Sequence, residues 1–187
     1  MAVLEIAKYG EPVLRVRCKP VERVTDETRA LIADMIETME AAAGVGLAAP
    51  QVRVPQRLFV YHLGEGPDAI VNPELVRREG EVVGVEGCLS IPRLQGEVVR
   101  AQKVLVRGLD RHGKKVRIEA EEWLARVFQH DMDHLDGVLF IDRADPESLH
   151  WLTDEEEEER VKNGRSRRAP AANGAPEPAG AAASEPD

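Results

Sequence analysis

The chain has 187 residues, enough for one domain of catalytic size with a buried core and a short appendage. Its 32 % charged and 43 % hydrophobic residues exclude wholesale disorder, and aromatics at 4 % leave the packing mostly to aliphatic side chains. The formal charge of 25 minus 34, or −9, excludes a surface built throughout to track nucleic-acid phosphates, so no direct nucleic-acid readout is expected; two cysteines, Cys18 and Cys88, exclude a disulfide scaffold and suit a reducing, cytoplasmic compartment.

No apolar run follows a basic segment at the N-terminus, and no stretch is long and apolar enough to span a bilayer, so neither secretion nor a membrane role is expected. From Thr25 to Ala43, apolar Leu31, Ile32, Met35, Ile36 and Met39 recur at helical spacing, with Gly44 as the terminating residue. Short β-rich pieces follow: RLFVYHL, AIVNPELVRR, GEVVGVEG and GEVVRAQKVLVRGL. The break Asp110 to Gly113 before KKVRIEAE predicts a hairpin. Helical period returns from Glu121 and Glu122 to about Leu135, where Gly137 stops it. Asp145 before Pro146 reads as an N-cap, and Asn163-Gly164 as a stop, predicting a C-terminal helix over 146–162 with offsetting pairs Glu156 with Arg160 and Glu158 with Lys162. Residues 169–187 include eight Ala and four Pro and are expected to be a disordered tail. The expected organisation is a catalytic domain over 1–150, a helix end and charged segment over 151–168, and the tail. The class is α+β: antiparallel β-sheets packed around a central helix, with an N-terminal and a C-terminal helix.

Three segments can carry chemistry. In QHDMDHLDG, His130 and His134 stand four apart on one helix face, and Trp123 and Val127 continue that face, so both imidazoles point inward and can reach one metal ion. Such a pair alone is equally compatible with two structural histidines. Cys88, in EGCLS, is alone a small core hydrophobe as readily as a ligand. Together the three residues supply three protein ligands and leave a fourth tetrahedral position open, the pattern of a catalytic metal site. In GVGLAAPQ, Gly44 and Gly46 permit close backbone approach and Gln51 presents an amide; a plain helix-ending turn is the alternative.

In order and spacing these segments resemble the bacterial peptide deformylases: GVGLAAPQ is similar to GxGxAAxQ, EGCLS is identical to the second motif, and QHDMDH departs from QHExDH at one fixed position. The resemblance covers about residues 1 to 150. It implies removal of the N-terminal formyl group from formylmethionine of nascent polypeptides, by a metal-bound hydroxide, with release of formate. It implies Cys88, His130 and His134 as ligands of one divalent ion, Fe2+ in the first place, with Zn2+ or Ni2+ accepted. Ligand type alone does not choose among these, and the affinity order favours nickel over iron. It further implies that the Gln51 amide and the Leu89 backbone N–H stabilise the oxyanion. The peptide would lie extended beside Val45, Gly46 and Gly87, with its methionine against Val45, Trp123 and Val127.

The departure is Asp131, where the family has its catalytic Glu. The carboxylate chemistry is kept, but the reach shortens by about 1.5 Å, and misplacement by about 1 Å can cost on the order of 100-fold. Two further readings therefore stand beside an active deformylase: a catalytically weak homologue that binds formylated N-termini, and, less in keeping with the missing HExxH, a generic zinc peptidase. Asp133 is expected to pair with Arg100 and hold the helix to the sheet. His62, His112 and His150 are read as surface or turn residues, and Cys18 as a free thiol. The resemblance also implies an encounter with the ribosome near its exit tunnel, to which Arg165 to Arg168 could contribute.

Overall fold

The structure is a computed structural model that describes residues 2–63 and 66–168, with side chains of the last helix described as far as Asn163. The disordered tail expected over 169–187 lies outside the described residues. Among the described residues eight strands form two antiparallel sheets, with three α-helices beside them, matching the expected α+β class.

Helix α1 (Asp26–Ala41) begins where Thr25 and Thr28 form a reciprocal capping box, Thr28 N–H donating to Thr25 Oγ1 and Thr25 N–H to Thr28 Oγ1. Ile32, Met35 and Met39 are buried, as their spacing predicts, and Leu31 and Ile36 pack at the margin. The helix does not end on a left-handed Gly44. Ala43 takes that conformation (φ 54°), with Ala43 N–H donating to Glu40 O at 3.1 Å and Gly44 N–H to Met39 O at 2.8 Å, the paired bonds of a Schellman ending. Gly44 is required by space instead: a Cβ there would lie 2.8 Å from Leu89 Cδ1.

Strand β1 (Gly46–Ala48) then pairs with β2 (Leu58–His62), which pairs with β3 (Pro67–Glu79). The segment GEVVRAQKVLVRGL is two strands rather than one, β5 (Ile91–Arg100) and β6 (Lys103–Leu109), because the chain leaves one sheet and enters the other at Ala101 and Gln102. With β4 (Val82–Cys88), β7 (Lys115–Glu121) and β8 (His150–Trp151), the sheets are ordered β1-β2-β3-β6-β7 and β4-β5-β8. The hairpin at Asp110 to Gly113 joins β6 and β7 as expected.

Helix α2 (Glu122–Leu135) is the central element, and Gly137 in the left-handed region (φ 74°) follows its end. Ala125, Phe128, Met132 and Leu135 form its packing stripe against Phe59, Ile70, Val104, Val106 and Ala120 of the five-stranded sheet. Phe128 meets Phe59 edge-on at 5.2 Å and Tyr61 at 4.9 Å. The side of α2 toward the smaller sheet is polar and carries Arg126, His130 and Asp133.

The expected helix over 146–162 is corrected. Asp145 does cap, accepting from Glu147 N–H, but it caps only a 3-10 turn (Pro146–Ser148), after which β8 adds to the edge of β5. Helix α3 (Asp154–Arg168) starts eight residues later and runs past Gly164. Its start is a capping box: Glu156 N–H donates to Thr153 Oγ1 and Thr153 N–H to Glu156 Oε2. Glu156 is thereby occupied, so Arg160 pairs with Glu157 at 2.7 Å instead, while Lys162 reaches Glu158 at 3.8 Å as expected.

Candidate metal and peptide site

Cys88 ends β4, where a register irregularity at Gly87/Cys88 turns the strand and aims its sulfur at α2. His130 and His134 project from α2 one turn apart, their ring centroids 5.0 Å from each other. Ligand atoms of Cys88, His130 and His134 all lie within 4.8 Å of one another, and Cys88 Sγ is 3.3 Å from His134 Nε2. Tetrahedral coordination with ordinary metal–sulfur and metal–nitrogen bonds of about 2.3 and 2.0 Å places such a pair about 3.5 Å apart, so the spacing fits one ion.

The electrostatics fit as well. Burial alone would raise the Cys88 thiol, but the flanking His134 and His130 bring it well below its ordinary value, making a thiolate. Burial works against a charged His130, yet Cys88 and Glu86 raise it well above the ordinary imidazole value, so the cluster favours positive charge between its members.

Glu86, the first residue of EGCLS, was not singled out from sequence. Its Oε2 accepts from His130 Nδ1 at 2.9 Å, which leaves Nε2 of that ring for the cluster. Arg100 reaches it through two bonds of 2.8 and 3.0 Å, and Arg126 donates to it at 2.9 Å. Burial would raise the Glu86 carboxyl, but His130 and Arg100 hold it well below the usual carboxylate range. The signal was available in the two arginines and the glutamate at apolar-patterned positions, but their convergence crosses three elements. Asp133 accepts from Arg100 at 2.5 Å, the expected pair, and also from Arg143 at 2.6 and 2.8 Å.

Gln51 is 2 % exposed; Ala48 N–H donates to its Oε1 at 2.9 Å, and its Nε2 donates to Ser90 Oγ at 3.1 Å and toward Cys88 Sγ at 3.5 Å. The amide is therefore fixed beside the sulfur. Leu89 lines the same cavity, its carbonyl accepting from Lys8 Nζ at 2.9 Å. Asp131 is 2 % exposed, its Oδ2 has no hydrogen-bond partner among the described residues, and burial pushes its carboxyl up to about 8 against the pull of His130. An orphaned buried carboxylate oxygen is costly in its charged form, which is the cause of the raised proton affinity.

The cavity, of about 480 Å³, brings Val45, Gly46, Gly87, Trp123, Val127 and Asp131 to one surface. His62 N–H donates to Val45 O, so in the alternating antiparallel ladder the peptide groups of Gly46 face away from β2, at the free edge of the sheet. His150 is exposed, as expected, and lines the cavity from β8, which pairs with β5 beside the site. One expectation is corrected here: His62 is half-buried and bonded through Nδ1 to Glu40 at 2.8 Å. His112 is an exposed turn residue, and Cys18 is a buried free thiol.

A family model described as Polypeptide deformylase matches residues 3–150. The peptide deformylase of Halothermothrix orenii is 55 % identical over 146 residues, covering 77 % of this chain and 95 % of that one. That of Symbiobacterium thermophilum is 50 % identical over 179 residues, covering 94 % and 82 %. The crystal structure of the peptide deformylase from Thermotoga maritima superposes with a TM-score of 0.76 at 45 % identity, covering 78 % of this chain and all of that one. The matched span contains every motif around the cavity, and the chain belongs to the polypeptide deformylase family.

Proposed function

We propose that this chain is a metal-dependent hydrolase that removes the formyl group from the N-terminal formylmethionine of nascent polypeptides, releasing formate. The observation that carries the reading is the cluster of Cys88, His130 and His134 beside a cavity lined by Cys88, His130, Gln51 and Asp131, in a member of this family. Cys88, His130 and His134 would hold one divalent ion, Fe2+ in this proposal, which supplies Lewis acidity and a water-derived nucleophile competent near neutral pH.

The remaining work falls to the protein. Gln51 Nε2 and the Leu89 backbone N–H are assigned to the oxygen of the formyl group, where negative charge grows during attack; donors fixed beforehand need no reorganisation at that moment. Asp131 is assigned the proton: its ionised carboxylate takes one from the attacking water, burial raises its affinity for that proton, and the resulting acid gives it to the departing amine nitrogen. The free edge of β1 at Gly46, and Gly87 in β4, are assigned to the peptide backbone, and Val45, Trp123 and Val127 to the methionine side chain.

Asp131 is the ground for the binding-only reading, and its placement speaks against it. The carboxylate lies on the cavity and is in no ion pair among the described residues, so it is not diverted elsewhere. The zinc-peptidase reading has no support from the family match. An encounter with the ribosome near its exit tunnel, through Arg165 to Arg168, belongs to the same proposal; deleting residues 164–187 should weaken binding to ribosomes, and unchanged binding would remove it. No helix among the described residues is long and apolar enough to cross a membrane, and we place the reaction in the cytoplasm.

The test is formate release from formyl-Met-Ala-Ser by anaerobically iron-loaded protein, with acetyl-Met-Ala-Ser as control. Formate from the first peptide and no acetate from the second supports the reading; cleavage at an internal peptide bond overturns it.

A further inference from the structure

The deformylation reading accounts for the floor of the cavity but not for its outer wall, which is made by the C-terminal helix. Glu156, Glu159, Arg160 and Asn163 line the cavity. Their spacing of three, four and seven is one face of α3, so the helix lies along the mouth and does not merely touch it at one point. Its attachment is specific. Leu152, 5 % exposed, donates its N–H to Arg93 O at 2.7 Å, its carbonyl accepts from Arg93 Nη2 at 2.8 Å, and Arg93 also pairs with Asp154 at 2.7 Å at the first residue of the helix.

In the deformylation reading Cys88, His130 and His134 mark the formyl end, and Trp123 and Val127 the side-chain pocket; His150 and four residues of α3 line the rest of the same cavity, the wall left for the residues that follow formylmethionine. The charges on that wall are unequal. Arg160 is tied by two bonds of 2.7 Å to Glu157, whereas Glu159 has no ion pair among the described residues, and Glu156 only serves the helix cap. Resting on the deformylation reading, we propose that α3 is a specificity element which contacts residues two to four of the formylated chain and, through Glu159, favours basic side chains there.

The experiment compares kcat/KM for formyl-Met-Ala-Lys and formyl-Met-Ala-Glu, for the iron-loaded wild type and for Glu159→Lys, at low and high salt. The expected Lys-to-Glu preference of the wild type is about two- to five-fold, the range of solvent-exposed charge pairs, expressed in KM and lost at high salt. In Glu159→Lys the ratio should fall to one or below. A purely structural role for the helix would change both peptides alike and leave the ratio untouched. Equal ratios in the two proteins, or no preference in the wild type, would overturn the proposal while deformylation itself stands. Failure of wild type to release formate from either peptide would overturn the deformylation reading and this proposal with it.

Discussion

Gly46 stands directly against Asp131: a Cβ placed on Gly46 would lie 2.2 Å from Asp131 Oδ2 and 2.9 Å from Val127 Cγ1. The glycine is thus demanded by packing between β1 and α2 and not by its own backbone torsion. Gly46→Ala should displace the carboxylate or the strand edge. The expected cost is about 1 to 3 kcal/mol of stability and, since misplacement of about 1 Å can cost on the order of 100-fold, a fall in kcat/KM of about that size. Thermal melts and peptide kinetics on the same preparation check both.

Glu86 holds His130, Arg100 and Arg126 together in a buried network. Glu86→Gln removes the charge that both arginines answer, so about 3 to 5 kcal/mol of stability is expected to be lost. With His130 in the proposed ligand set, loss of the carboxylate behind it should also weaken metal binding by about 10- to 100-fold, measured by chelator competition.

Asp133→Asn breaks the ion pairs with Arg100 and Arg143 but touches no atom of the cavity wall. Melting temperature should drop, while KM for a formylated tripeptide stays within about two-fold, below the tenfold that 1.4 kcal/mol would give. A lost metal with an unchanged melting temperature would contradict the assignment.

Cys18 is 4 % exposed, and burial pushes its thiol up to about 11. Native protein should therefore resist iodoacetamide at Cys18 and label there only on unfolding, as peptide mapping would show. Because the unfolded chain releases this proton first, the associated stability is fully present below the ordinary thiol range and is lost as pH rises toward about 11. Cys18→Ser should flatten that decline in denaturant melts.

Local patterns revealed α1, α2 and the three motifs, because those signals lie within a few neighbouring residues. The start of α3 was missed because Asp145-Pro146 opens a single 3-10 turn as well as it opens a helix. The better signal was Thr153 with Glu156, three residues apart. That β8 pairs with β5, placing His150 at the cavity mouth, depends on contacts more than 50 residues distant along the chain, and no local pattern encodes them. Glu86 was equally hidden: the sequence shows a carboxylate in the motif, but only the fold shows which histidine nitrogen it takes.

The central claim is that Asp131, despite its shorter side chain, moves the proton in deformylation. The direct test is anaerobic formate release from formyl-Met-Ala-Ser by iron-loaded wild type, Asp131→Asn and Asp131→Glu, with metal content measured in each. The account predicts turnover by wild type, a loss of about 100- to 10,000-fold in Asp131→Asn at equal metal content, and no large gain in Asp131→Glu. An inactive wild type beside a fast Asp131→Glu would contradict it.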